Sequence, residues 1–141
     1  MSIEIERKFL VRSGSWRNSV IRHAKIRQAY LDSDANVSIR VRIEDNNSAT
    51  LTLKTRSSKL RRREFEYAIP TSDAEGLISL RQGHIVEKVR YIVPGGDLTW
   101  EIDVFSGENL GLVIAEIELP SENHQTGLWL QVGRVAHREG A

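Results

Sequence analysis

The sequence has no cysteine and no long hydrophobic run, and its positive and negative charges nearly cancel. The absence of cysteine excludes disulfides, thiolate catalysis and cysteine-based zinc sites together. No segment approaches the roughly 20 apolar residues that a membrane helix needs, and the N-terminus shows no apolar signal region. A net charge of +1 lacks the basic excess typical of proteins that bind nucleic acid by bulk attraction. We therefore expect a cytoplasmic protein with neither a membrane nor a nucleic-acid partner.

The chain length favours one domain. Its 141 residues suffice for one hydrophobic core and are too few for two ordinary domains. Hydrophobic residues make up 40% and charged residues 28%, a balance typical of a globular rather than a disordered protein. No internal repeat, low-complexity tract or linker is present. We expect a single domain over residues 1–141.

Apolar and polar residues alternate with a period of two along most of the chain, and this pattern predicts β-strands. Short connections such as Asp45–Ser48 and Pro94–Asp97 suit antiparallel hairpins. Eight segments show the alternation, roughly 2–11, 25–31, 37–44, 49–56, 62–69, 85–93, 97–105 and 112–119. The sequence therefore predicts a mainly β fold.

Signals for helices are few. Ser15 could cap a short helix through His23, and Ser72 with Glu75 three residues later forms a capping-box pattern before an apolar stretch. A last apolar stretch, Leu128–Val135, could be helical but has weak boundaries. We expect these helices to flank the predicted strands.

Ionisable side chains lie on one face of nearly every predicted strand. Side chains two apart share a face, so Glu4, Glu6 and Lys8 project together from the first strand. The sign of the charge is sorted by strand, with acids on the first, fifth, seventh and eighth and bases on the third, fourth and sixth. A solvent-exposed face explains any single strand, but repeated like charges repel one another and do not favour stability. The whole pattern indicates a bound partner.

Two kinds of ligand fit these charges. Carboxylate pairs such as Glu116 and Glu118 are hard oxygen ligands suited to Mg²⁺ or Mn²⁺. Basic pairs such as Arg40 and Arg42 suit a chain of phosphates. An eight-stranded closed barrel leaves an interior that admits one small ligand. We therefore predict an eight-stranded antiparallel closed barrel with a charged lumen, whose apolar faces turn outward against a few helices and are compatible with a homodimer.

A series of short motifs follows Glu4-x-Glu6-x-Lys8 in a fixed order over about residues 1–120. The series consists of Arg27–Leu31, Ile39–Arg42, Leu51–Lys54, Arg62–Glu66, Glu87–Tyr91, Trp100–Phe105 and Ala115–Glu118. It resembles the CYTH superfamily, the triphosphate tunnel metalloenzymes, whose fold is an eight-stranded antiparallel tunnel. The segment EIERKFLV looks most like small bacterial members that hydrolyse inorganic tripolyphosphate to pyrophosphate and phosphate with Mg²⁺ or Mn²⁺.

The resemblance also implies a role for each charged residue of the tunnel. The residues implied to hold the metal are Glu4, Glu6, Asp103, Glu116 and Glu118. The residues implied to bind the triphosphate are Lys8, Arg40, Arg42, Lys54, Arg62, Lys88 and Arg90. Glu64 and Glu66 are implied as catalytic residues that serve a second metal or orient water, and Lys8 is grouped with them.

Other functions on the same scaffold stay open at this point. Class IV adenylyl cyclases and nucleoside or thiamine triphosphatases would need aromatic or apolar groups in the lumen, and the sequence commits none clearly. A non-catalytic polyphosphate- or nucleotide-binding module is a further alternative. It is suggested by the C-terminal segment after Trp129, which looks shortened or altered beside the closing helix of CYTH relatives.

Overall fold

The computed structural model describes residues 2–33, 36–56, 61–121 and 135–138. Within these ranges the chain forms nine β-strands, one α-helix and two short 3₁₀ turns, at Ser15–Ser19 and Gly107–Asn109. The strands and the helix, in chain order, are β1 (Ser2–Val11), β2 (Arg22–Ser33), β3 (Val37–Glu44), β4 (Ser48–Arg56), β5 (Arg61–Ile69), α1 (Thr71–Ile78), β6 (Gln82–Gly95), β7 (Leu98–Ser106), β8 (Val113–Glu118) and β9 (Val135–Arg138). The mainly β prediction is confirmed.

The nine described strands form one antiparallel sheet in the order β5-β4-β3-β2-β6-β7-β8-β1-β9. The sheet curls into a half-barrel. β5 pairs with the beginning of β1, where Ser2 lies opposite Glu64 and Ile5 lies opposite Arg61. β9 pairs with the end of β1, from Lys8 to Val11. β1 therefore contacts strands from both ends of the sheet order.

Tight hairpins connect several neighbouring strands, as the turn residues predict. β6 and β7 are paired up to Gly95 and Leu98, which leaves only Gly96 and Asp97 in the turn. Gly96 has φ +68°, a left-handed conformation that glycine adopts at little cost. The hairpin between β6 and β7 keeps the two strands in register, and this register places their inward-facing side chains next to each other.

The helix predicted to run from Ser15 to His23 is wrong in its second half. Only Ser15–Ser19 is helical, as a 3₁₀ turn, and His23 lies in β2. The backbone N–H of Ile21 donates to the carbonyl of Ile92 at 3.0 Å, which draws the chain into pairing with β6. Tertiary pairing therefore overrides the weak local helical signal.

The second predicted helix is present as α1, although Pro70 rather than Ser72 occupies the position before its first turn. Proline fits there because the first N–H groups of a helix have no intrahelical partner. The apolar stretch Leu128–Val135 lies outside the described residues except for Val135, which begins β9. None of the described helices is long and apolar enough to span a bilayer.

The hydrophobic core lies on the outer face of the curled sheet, in two clusters. One cluster is centred on Trp100 and Ile117 and includes Trp16 from the first 3₁₀ turn. The other lies where Ala74 and Ile78 of α1 pack on β2, β3 and β4. Strand residues of both clusters alternate with residues that face the other side of the sheet. The polar rows predicted from the sequence therefore face inward wherever their side chains are described.

Candidate active site

The inner face of the half-barrel lines a cavity of about 590 Å³. Most of the sequence-predicted site residues line it, namely Glu6, Lys8, Arg40, Arg42, Lys54, Arg62, Glu64, Glu66, Lys88, Arg90, Glu116 and Glu118. Asp103 is not among the described residues that line the cavity. The side chain of Glu4 lies outside the description, and its backbone pairs with Arg62. The predicted charged interior is therefore assembled from residues on six strands.

The strand registers gather the acids on one side of the cavity. Glu6 of β1 lies opposite Glu118 of β8, and Glu116 of β8 lies opposite Glu101 of β7. Like charges directly opposite each other in a sheet are destabilising, so this arrangement costs stability unless a cation lies between them. These glutamates form an acidic wall of the cavity. Glu101, which sequence analysis did not select as a site residue, is part of this wall.

The carboxylate of Glu6 lies between the side chains of Lys8 and Arg62, beyond hydrogen-bond distance of either. The Oε1 atom of Glu6 is 3.7 Å from Lys8 Nζ and 3.7 Å from Arg62 Nη1. Lys8 Nζ is also 3.9 Å from Glu116 Oε1. These separations exceed ordinary hydrogen-bond lengths, and the buried Oε1 atom of Glu6 accepts no hydrogen bond. An oxygen in this state is available to a ligand inside the cavity.

Asp103 lies beneath Lys88 and Arg90, which belong to the basic wall of the cavity. Its side chain is 1% exposed. Its Oδ2 atom accepts hydrogen bonds from Lys88 Nζ at 2.6 Å and from Arg90 Nη2 at 2.9 Å. Its Oδ1 atom accepts from Arg90 Nε at 2.8 Å. Burial opposes ionisation, but the hydrogen bonds and charges of Arg90 and Lys88 outweigh it and hold the pKa of Asp103 at about 2. The same hydrogen bonds raise the pKa of Arg90 against the effect of burial.

Arg42 and Gln28 form a second buried contact in the wall of the cavity. Arg42 Nε donates to Gln28 Oε1 at 2.8 Å, and both side chains are buried. Burial is the main reason that the pKa of Arg42 falls to about 10, and the nearby charges of Arg40 and Arg90 add to it. A neutral partner fixes the direction of the guanidinium without cancelling its charge. Arg42 therefore presents a full positive charge to the cavity at neutral pH.

The buried ammonium of Lys88 predicts a gain in stability at alkaline pH. Burial lowers the pKa of Lys88 to about 8 from its ordinary 10.5, so the unfolded chain binds more protons between these values. The free energy of unfolding should therefore rise with pH in this window, by up to about 1.4 kcal/mol per pH unit from this group. Urea unfolding of the wild type and Lys88→Met at several pH values between 8 and 10.5 measures the effect. A difference between the two that is independent of pH would contradict the prediction.

One end of the cavity is apolar, which sequence analysis missed. The inward row of β6 passes from Arg90 and Lys88 to Val86, and that of β7 ends at Phe105. The row of β8 passes from Glu116 to Ile114, so the apolar ends of three neighbouring strands meet at one end of the sheet. The alternation in the sequence already placed Val86 and Phe105 on the charged face, but sorting the rows by charge alone left them out.

Comparisons with known proteins agree with this arrangement. The CYTH domain family model matches residues 2–139. An inorganic triphosphatase of Acetivibrio thermocellus is 44% identical over 124 residues, which cover 87% of this chain and 78% of that protein. An inorganic triphosphatase of Nitrosomonas europaea is 36% identical over 123 residues, which cover 85% and 78% of the two chains. The crystal structure of an inorganic triphosphatase superposes with a TM-score of 0.56 and 32% identity, over 87% of this chain and 77% of that one.

Proposed function

Because the chain belongs to the CYTH domain family, we propose that it is a divalent-metal-dependent triphosphatase. The proposed substrate is inorganic tripolyphosphate, which water cleaves into pyrophosphate and orthophosphate. Two inorganic triphosphatases share more than a third of their aligned residues with this chain over most of their length, and they support this choice. The observation that carries the proposal is the cavity in which basic and acidic walls face a common space.

The basic residues of the cavity suit the phosphates of the substrate. Arginine and lysine side chains contribute from β1, β3, β4, β5 and β6, namely Lys8, Arg40, Arg42, Lys54, Arg62, Lys88 and Arg90. Arg40 supports this role most directly, because its buried Nε atom has no hydrogen-bond partner. A guanidinium donor without a protein partner forms strong hydrogen bonds with phosphate oxygens, and one held by the fold is positioned before the substrate arrives.

The acidic wall fits Mg²⁺ or Mn²⁺. Glu6, Glu116 and Glu118 offer hard oxygen donors at paired positions of β1 and β8, and the unpartnered Oε1 atom of Glu6 is one such donor. Within the described residues, no three acidic or histidine side chains are close enough to form a complete metal cage. This suits a cation that one or two carboxylates hold together with the phosphates of the substrate, as is usual for Mg²⁺. When bound, the cation neutralises charge that develops on the phosphates.

The remaining carboxylates can act on the attacking water. Glu64 and Glu66 of β5 line the cavity, with Glu64 opposite Lys54 of β4. A carboxylate here can accept a hydrogen bond from water and orient it for attack on a terminal phosphorus. The new bond joins that phosphorus to the water oxygen, the bond to the bridging oxygen breaks, and the water gives up a proton to the carboxylate. Lys8 lies beside Glu6 and Glu116 and can stabilise the leaving pyrophosphate.

A second candidate substrate is an organic triphosphate, such as a nucleoside or thiamine triphosphate. The apolar end formed by Val86, Phe105, Leu112 and Ile114 favours it, because this surface could contact a base or ring beyond the phosphates. A class IV cyclase reaction would use the same surface. If the organic group binds at this end, Phe105→Ala should slow the turnover of ATP more than that of tripolyphosphate. If it does not, the substitution should affect both substrates equally.

A substrate panel tests the proposed function. Purified protein is given tripolyphosphate, ATP or thiamine triphosphate with Mg²⁺, Mn²⁺ or a chelator, and the release of phosphate is measured. We expect kcat/KM for tripolyphosphate to exceed that for ATP by about tenfold or more, with no release in the chelator. Formation of cyclic AMP from ATP alone would show that the chain is a cyclase. Tight binding of tripolyphosphate without release would show a binding module.

We propose that the tunnel is closed along its whole length. The pairing of β1 with β5 over four residues supports this closure. We also propose that residues 1–141 form a single tunnel domain. A homodimer stays a prediction from the sequence.

A further inference from the structure

We propose that Asp103 is a positioning residue that holds Lys88 and Arg90 against the phosphate chain, and that it is not a ligand of the metal. The inference rests on the proposed function and replaces the role that the family resemblance implies for this residue. Its basis is the contact geometry at the junction of β6 and β7, where Asp103 lies directly opposite Arg90 in the strand register.

The carboxylate of Asp103 is fully occupied by protein donors. Arg90 contacts both of its oxygens in a fork, and Lys88 adds a third short hydrogen bond to Oδ2. Paired hydrogen bonds between a guanidinium and a carboxylate fix the relative orientation of the two groups. Ligation of a metal by Asp103 would require that these two cations give up bonds of 2.6 to 2.9 Å inside a buried site.

Access to the cavity divides the acids of this region into two groups. Glu6, Glu116 and Glu118 line the cavity, whereas Asp103 is 1% exposed and lies behind Lys88 and Arg90, which do line it. A cation held by the first group would lie on the acidic wall. Asp103 faces the basic wall from behind, so a cation would meet Lys88 and Arg90 before it could reach Asp103.

The charge balance of this cluster also suits a positioning role. The buried carboxylate of Asp103 serves two cations, and the more exposed Glu101 lies 3.4 Å from Arg90 Nη1 at the edge of the cluster. A buried lysine without a counter-charge loses its proton easily. Asp103 therefore keeps Lys88 protonated and directed towards the cavity.

Metal binding without turnover separates the two roles. Asp103→Asn and the matched variant Glu116→Gln each exchange a carboxylate for an amide of the same shape. The dissociation constant for Mn²⁺, with tripolyphosphate absent, is measured by electron paramagnetic resonance of the free ion. We expect Glu116→Gln to weaken Mn²⁺ binding by about tenfold or more and Asp103→Asn to change it by less than about threefold. An equal loss in both variants would overturn the proposal.

Steady-state kinetics tests the positioning role itself. Lys88 and Arg90 bind phosphate in the ground state as well as in the transition state, so Asp103→Asn should raise KM for tripolyphosphate by about tenfold, with a smaller effect on kcat. The effect of Asp103→Asn should also shrink in a Lys88→Met background, because the two residues act together. A fall in kcat alone, or effects of the two substitutions that simply multiply, would contradict the role.

A second variant covers a failure of Asp103→Asn to fold. Lys88→Met with Asp103→Asn removes one buried charge of each sign, and its Mn²⁺ affinity is compared with that of Lys88→Met alone. Equal affinities support the proposal, and a loss of about tenfold overturns it. A wild-type protein that neither binds Mn²⁺ nor releases phosphate would refute the proposed function, and the role of Asp103 with it. If only the positioning role is wrong, the wild type still binds Mn²⁺ and releases phosphate, and the variants alone depart from the expected results.

Discussion

Arg40→Met is expected to lower kcat/KM for tripolyphosphate by about 10²-fold while leaving the protein at least as stable as the wild type. The activity falls because the substitution removes a guanidinium that lines the cavity and has a buried Nε atom without a partner. The stability is kept because Arg40 lies close enough to Arg42 to lower its pKa, so its removal relieves repulsion between like charges. Phosphate release and thermal unfolding measure the two effects.

Arg63→Met is the matched control for this prediction. Arg63 lies on β5 with its side chain exposed and stacked near the ring of Phe65 at 5.7 Å, and it does not line the cavity. This variant should keep its activity within about twofold and its stability within about 0.5 kcal/mol. If Arg40→Met lowers the free energy of unfolding by more than about 1 kcal/mol, Arg40 supports the fold. Unchanged kcat/KM for tripolyphosphate would exclude Arg40 from the substrate site.

Trp100→Ala is expected to reduce the free energy of unfolding by about 3–5 kcal/mol. Trp100 is 1% exposed, and its ring meets that of Phe9 in an edge contact with centroids 5.8 Å apart. The loss combines the hydrophobic transfer of a large side chain with the cavity that it leaves. Urea unfolding at neutral pH measures it.

Tyr67→Ala provides the comparison for Trp100→Ala, since Tyr67 is 55% exposed on the same outer side of the sheet. Its truncation should change the free energy of unfolding by about 0.5 kcal/mol or less. If Trp100→Ala costs no more than Tyr67→Ala, the outer cluster is not the core that stabilises this sheet.

The sequence predicts the strands and the contents of the cavity well because one rule controls both. Alternation along a strand fixes which side chains share a face, so Arg40 and Arg42, or Glu116 and Glu118, had to project together. Hairpin registers then bring neighbouring rows side by side. This information is local to each strand. It is sufficient here because every inward-facing row belongs to a regular strand.

Contacts between strands were beyond the reach of the sequence. Asp103 shares its face with Glu101, and nothing in the pattern distinguishes a carboxylate held by Arg90 from one that faces the cavity. The sorting of charges assigned no row to β2, where Arg27 points away from the cavity and donates paired hydrogen bonds to Glu75 of α1 at 3.0 and 2.6 Å. Long-range neighbours decide the role of each charge, and a strand pattern does not contain them.

The pairing of β1 has a consequence for how the chain folds during its synthesis. β1 finds its partners in β5, β8 and β9, which follow it in the chain and are synthesised later, and the last of them begins at Val135. Until β5 has been synthesised, the backbone of β1 lacks all three of these partners, and its apolar row, which includes Phe9, is uncovered. Such late, distant pairing slows folding and leaves the apolar row of β1 prone to aggregation while the later strands are being made.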